Sequence, residues 1–375
     1  MKLFASHFHW FFSFLLVFIV NLYAIERVVG ANASLDLIPG AHSAALGGAS
    51  LAVDADINSL SLNPLPLSSL SYSYAAFSHV SYFEGTQYDF AAMSIPLGGS
   101  HGIAIAFSRF GANDIPWIKE GDPIPESSDY KVLSIADYTF SLAWAKKWFL
   151  LDIGALFHGL YRDLDQSGFG FRSDLFLKYQ ASPSFSLSTL LQAWTSSATR
   201  FESGYVEYSS PELYLAAHYQ GHQAYFYGKW NLYWQSSGLF HREARDLEWV
   251  ETASGDRFWE SPLDWLMGGR LGFEFVFDLG LSLRVGLASL NTWQSLTFGA
   301  GVQIAQFLQL DYAFESHPVL TPVHRVSLSF SPSLFFKRDR GKPKEEVLRS
   351  NPELLLQEET DLFEEEEEVG THWEE

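Results

Sequence analysis

The sequence predicts an all-β protein, a transmembrane antiparallel barrel of about fourteen strands with an N-terminal segment lodged in its lumen. Three observations predict it. Apolar residues alternate with small or polar ones through most of the chain, the connections are short at one end of the strands and long at the other, and charge is scarce where the alternation is clearest. Alternation with period two marks strands whose two faces meet different surroundings.

Composition narrows the class further. The 375 residues are 47% hydrophobic and 16% aromatic but only 18% charged, whereas a soluble domain usually carries about a quarter of its residues as Asp, Glu, Lys and Arg. That apolar fraction excludes global disorder. The lack of cysteine excludes a disulfide scaffold, thiolate chemistry and a lipidated cysteine anchor. A net charge of -20 argues against wrapping nucleic acid. Most of the acid sits in four segments: the tail 338-375 has fourteen acidic and five basic residues, and stretches 111-133, 196-210 and 236-264 together have fourteen against six. The body between them is nearly neutral.

In chain order, residues 1-24 read as a signal peptide, with Lys2 ahead of an apolar run and Ala24 before a cleavage point. An uncleaved anchor is the competing reading, because the run is close to the roughly 20 residues that span a bilayer. Residues 25-69 are rich in Ala, Gly, Ser and Leu and do not alternate. Residues 70-337 form the barrel, with strands near 71-78, 86-95, 101-110, 134-146, 149-162, 169-180, 184-195, 211-220, 223-235, 265-278, 280-289, 294-304, 307-316 and 323-332. Within them Ile103, Ile105 and Phe107 oppose Ala104, Ala106 and Ser108, and Leu281, Leu283 and Val285 oppose Ser282, Arg284 and Gly286. The tail 338-375 reads as a solvated, disordered periplasmic extension with a short helix starting at Asn351 and Pro352.

Connections after even-numbered strands are very short, as at Gly98-Gly99-Ser100, Lys147-Trp148, Ala181-Ser182-Pro183, Gly221-His222 and Ala305-Gln306. The three long ones, 111-133, 196-210 and 236-264, all follow odd-numbered strands. This is the layout of a bacterial outer membrane barrel with periplasmic termini. Hydrocarbon leaves no partner for an unpaired backbone amide, so a sheet spans a membrane only by closing on itself. The greasy faces then meet lipid, and Trp144, Trp148, Trp230, Trp234 and Trp293 fall near strand ends, where an interfacial girdle forms. A soluble all-β protein also alternates, but a long sheet with one greasy face would need a second layer that this chain lacks.

Residues 40-70, with Gly47-Gly48-Ala49, Asp54, Asp56 and Asn63-Pro64, resemble the N-terminal segment of the FadL-like outer membrane proteins, in particular the PorV/PorQ and UPF0164 branch. Leu65 and Pro66 stand where that pattern has Ala-Gly. Leu310 to Phe314 and His324 to Leu328 are similar to the family's closing hairpin. The resemblance implies a fourteen-stranded barrel, an N-terminal luminal plug, and uptake of hydrophobic molecules such as long-chain fatty acids. For the PorV branch it implies a partner role in protein secretion or assembly instead, and the acidic tail would dock a periplasmic protein. The plug also makes sense without the family, because a barrel of this size has a lumen its own side chains cannot fill. A periplasmic lead-in is the alternative for residues 25-69.

The expected plug and gate residues are Gly47, Gly48, Asp54, Asp56, Asn63 and Pro64, and the expected ligand-capturing aromatics on the long loops are Trp117, Trp249, Phe258 and Trp259. No catalytic residue, metal or cofactor is called for, since transfer of apolar area out of water drives capture at roughly 25 cal/mol per Å2. Three motifs look like chemistry and read better as turns. Gly98-Gly99-Ser100-His101-Gly102 fits the nucleophile elbow but precedes a strand rather than a helix. His218 and His222 lack the Glu of a zinc helix, and Asp163, Asp165 and Asp174 echo a calcium loop without its flanking helices.

Overall fold

The structure, a computed structural model, describes residues 32–53, 56–117, 131–164, 166–195, 197–209, 211–223, 227–236, 266–290, 296–317 and 320–339. Sixteen strands make one antiparallel sheet: β1 (Tyr74–Ser81), β2 (Thr86–Gly98), β3 (His101–Trp117), β4 (Lys131–Trp148), β5 (Leu151–Asp163), β6 (Ser167–Ser182), β7 (Phe185–Gln192), β8 (Ser197–Phe201), β9 (Val206–Ser209), β10 (Glu212–Gln223), β11 (Gly228–Gln235), β12 (Arg270–Phe277), β13 (Leu281–Leu287), β14 (Leu296–Ala305), β15 (Leu308–Glu315) and β16 (Val323–Phe330). Fourteen of them close into a ring. Each pairs with its chain neighbour, β7 pairs with β10, and β1 pairs with β16 to complete the circle. All fourteen expected strands are present in the expected order.

The faces divide as the alternation requires. Ile105 and Phe107 are about half exposed, at 49% and 50%, while Ala104 and Ala106 between and before them are buried. Likewise Leu283 and Val285 point out of the ring and Ser282 and Arg284 are buried inside it. The outward rows, with Phe77, Phe140, Phe157 and Phe298 among them, form an apolar belt. Among the described residues no helix is long and apolar enough to cross a membrane; the crossing elements are strands.

Several boundaries moved. The turns at 149–150 and 183–184 fall later than expected, because β4 and β6 run on through Trp148 and Ser182, and β10 continues to Gln223, past the turn expected at Gly221-His222. Gly221 is therefore a strand residue, and a methyl group there would run into the Trp230 ring. At the other end β3 and β4 extend to Trp117 and Lys131, which shortens the loop expected at 111-133. The loop expected at 196-210 is a correction. It contains β8 and β9, which pair with each other, and β8 continues the wall by pairing Ala198 to Phe201 with β6. These strands escaped notice because they are only five and four residues long, too short for an alternation to stand out. The barrel's last strand ends at Phe330, and a short helix, α2 (Pro332–Asp339), follows inside the span assigned to the barrel. The helix expected at Asn351 lies outside the described residues, as do residues 1-31.

We call the side of the ring with the long connections the loop end and the other the turn end. The chain enters β1 at Tyr74, at the turn end, and α2 packs there too, with Phe335 against Phe307 and Phe330.

Candidate functional site in the barrel lumen

Residues 32–70 pack against the inward-facing side of strands all around the ring. Asn32 hydrogen-bonds Ser197 and Thr199 at the loop end. From there the chain descends: α1 (Ala41–Ala45) lies against β13 to β16, and a 3-10 turn at Leu65–Ser68 lies against β2 to β6. The side chains of Leu46, Leu51, Leu60 and Leu67 in this stretch are almost wholly buried. Short turns of small and apolar residues replace long helices here, which lets the backbone follow the inside of the wall.

The segment keeps its shape through two side chains. Asp56 accepts from the Ser43 hydroxyl at 2.6 Å, the Ser59 hydroxyl at 2.7 Å and the Asn58 amide at 3.0 Å. Ionic acceptors make the stronger kind of hydrogen bond, so Asp56 ties α1 to the turn that follows it. Asn63 donates to the Ser50 and Val53 carbonyls at 3.0 and 3.1 Å and accepts from the Leu65 amide at 3.1 Å. Gly47 and Gly48 both have positive φ, 68° and 81°, a region that side chains resist. Here they bring the backbone against the wall: the Gly47 amide donates to the Thr297 hydroxyl at 2.9 Å, and the Gly48 carbonyl accepts from Arg270 at 2.9 Å. Pro64 abuts β5, where a methyl group at Gly154 would lie 2.8 Å from its ring. The expected residues Gly47, Gly48, Asp56, Asn63 and Pro64 therefore meet in one structure, whereas Asp54 lies outside the described residues.

The wall answers with glycines and with charge. A side chain at Gly286 would collide with the Gly47 amide, and one at Gly299 with Ala45. This is why the inner face was so poor in large residues. Arg284 donates to Glu274 at 2.8 Å and Asp311 at 2.6 Å, and His42 of the segment reaches Glu274 at 3.1 Å. Arg172 reaches Asp174 at 3.1 Å, and in the segment it holds Asp36 at 2.7 Å and the Leu35 carbonyl. Arg325 joins Glu315 to the Ile38 carbonyl, and Asp137 accepts from both Ser34 and Arg162. Buried charges persist only when paired and hydrogen-bonded, and each of these arginines has a carboxylate. Arg325 also touches Tyr82 in the β1–β2 connection; burial pushes that phenol above its ordinary pKa while Arg325 pulls it down, so it stays protonated.

The arginine contacts just described lie at and above the middle of the barrel, while Asp152 and Lys178, opposite each other on β5 and β6, are buried near the turn end. Toward the turn end the segment's Leu60, Leu65 and Leu67 share a core with Ala104, Ala143, Ala145, Leu156 and Phe176 of the wall. The sequence had placed Arg284 on the inward face, but nothing in spacing told that its partners would be Glu274 and Asp311, because they sit on different strands.

Of the capture aromatics, Trp249, Phe258 and Trp259 lie outside the described residues, and Trp117 is placed only as the last residue of β3. The chemistry-like motifs dissolve. Ser100 lies in the β2–β3 turn. His218 and His222 lie in a strand, where residues four apart are separated by roughly 13 Å, and His218 bonds Asn231 and stacks on Tyr233. Asp174 faces the lumen beside Arg172, well away from Asp163 at the β5–β6 turn, and Asp165 is not described. Among the described residues no group of three or more His, Cys, Asp or Glu is placed to hold a metal.

No protein-family model matches this chain, and no curated protein does. Solved structures similar to it include the toluene transporter TodX of Pseudomonas putida (TM-score 0.48, 12% identity, 79% of this chain and 98% of that one). They also include the toluene transporter TbuX of Ralstonia pickettii (0.44, 11%, 78% and 98%) and a FadL homologue of Pseudomonas aeruginosa (0.41, 9%, 77% and 96%).

Proposed function

We propose that this protein is an outer membrane channel for apolar small molecules, with residues 25–69 as its plug and the turn end facing the periplasm. The observation that carries this reading is the kind of wall behind the segment. A pore for polar solutes keeps a polar, water-filled interior. Here the patch of wall behind Leu60, Leu65 and Leu67 is alanine, leucine and phenylalanine, with Asp152 and Lys178 opposite each other beside it, so displacing residues 57–70 uncovers an apolar path. The short turns of residues 57–70 suit a gate that shifts beneath an anchored first half, with Asp56 and Asn63 preserving local shape.

Capture in this reading begins at the loop end, with Trp117 at the end of β3 and Trp249, Phe258 and Trp259 of the stretch 236-264 as its residues. The driving force is removal of apolar area from water, and no bond is made or broken. The test is uptake by cells of a neutral aromatic and of a long-chain fatty acid, the ligand class the family resemblance implies. The intact protein is compared with a variant lacking residues 40–64. Altered uptake of either ligand supports the gate; identical uptake by two folded, inserted proteins removes it.

A further inference from the structure

A cavity of about 180 Å3 lies at the turn end, between the segment and the inner side of β14 to β16. Ile57 and Leu70 close it on the segment's side, Phe307 of the β14–β15 turn forms part of its floor, and Gln303, Gln306 and Gln309 line its polar side. None of the eleven residues around it is charged. Phe307 is held edge-on by Phe330 and Phe335, so this part of the wall is braced.

Size and lining define what fits. An apolar cavity of about 150 Å3 holds a benzene, so this one takes a single ring with a small substituent. Three carboxamides offer donors and acceptors to a hydroxyl or amide on that ring. A carboxylate fares worse, because the lining supplies no cation. Gln309 also donates to the Asp311 carboxylate at 2.8 Å, which places behind it a negative charge that repels a second carboxylate. We propose that this cavity is the release site of the channel, that it receives neutral amphipathic molecules of single-ring size, and that it rejects carboxylates. The proposal rests on the channel reading above and adds the ligand class and the place of exit.

The experiment is fluorine NMR binding of 4-fluorobenzyl alcohol and 4-fluorobenzoate to the full-length protein in nanodiscs at neutral pH. Ser69, exposed at the cavity's edge, allows Ser69→Trp to fill the space without disturbing the core, with Ser69→Ala as its control. The alcohol should bind the native protein and Ser69→Ala, and weaken at least about tenfold in Ser69→Trp, while benzoate binds at least about tenfold more weakly than the alcohol throughout. Gln306→Lys, at an exposed turn position, should bring benzoate up to the alcohol's affinity. Equal native affinity for both probes overturns the selectivity, and unchanged alcohol binding in folded Ser69→Trp overturns the site. Cellular uptake separates the two readings. Uptake that persists when Ser69→Trp leaves binding unchanged removes the site and keeps the channel. Site-dependent binding in a protein that carries no solute removes the release role together with the channel.

Discussion

The two halves of the luminal segment are held by different forces. Residues 32–53, toward the loop end, are fastened by specific polar contacts: Asn32 to Ser197 and Thr199, Ser34 to Asp137, Asp36 to Arg172, His42 to Glu274, Gly48 to Arg270. Residues 57–70, toward the turn end, are tied to the wall by Asn58, which meets Ser78 and Ser329, and otherwise rest on apolar packing of Leu60, Leu65 and Leu67 in a core that Leu46 and Leu51 of the first half share. Polar latches are directional and fail when one partner is removed, whereas apolar contact tolerates sliding and weakens in proportion to area. The difference teaches which half acts as anchor and which half lies over the apolar path.

The comparison can be broken most sharply at Arg284. Arg284→Met leaves Glu274 and Asp311 buried without their cation, an expected loss of about 3–5 kcal/mol in stability, and loosens the anchor first. The chain has no native cysteine, so single cysteines report each half: Ala44→Cys should become reactive while Ser68→Cys stays protected. Adding Glu274→Gln and Asp311→Asn to the same protein should recover part of the stability in urea titration.

Leu67→Ala attacks the other half. Removing a fully buried leucine costs about 2–5 kcal/mol depending on how far the site collapses, and the labelling pattern should invert, with Ser68→Cys exposed and Ala44→Cys protected. Equal labelling of both positions in either variant would mean that the segment moves as one body.

A smaller effect is expected from Asp56→Asn. It weakens the charge-assisted bonds to Ser43, Ser59 and Asn58, with a loss of about 2 kcal/mol, and it should raise labelling at both positions modestly, because Asp56 joins the halves. The smallest belongs to Tyr82→Phe, which deletes one long contact to Arg325 of 3.4 Å. A shift within about 1 kcal/mol is expected, with uptake unchanged.

The strands were legible because a membrane barrel writes its geometry into alternation. Phe107 out and Ala106 in is a statement about lipid and lumen that each residue makes alone. Where the wall rises beyond the apolar belt, as in β8 and β9, that signal ends, and a loop was expected where a hairpin stands. Asp56 and Asn63 were singled out only through the family resemblance, and the ties they make, to partners within about a dozen residues, were not read from the sequence.

By itself the sequence determined the fourteen strands of the ring, their inward and outward faces and the small-residue character of the segment before them. Each of these depends on local period and composition. Only the tertiary structure decided that Gly286 receives Gly47, that Arg284 bridges Glu274 and Asp311, that the segment runs from the loop end down to the turn end, and that an uncharged cavity remains beneath it. Those facts join residues tens to hundreds of positions apart. Closing the ring brings them together, and no periodicity along the chain encodes which strand will face which part of the segment.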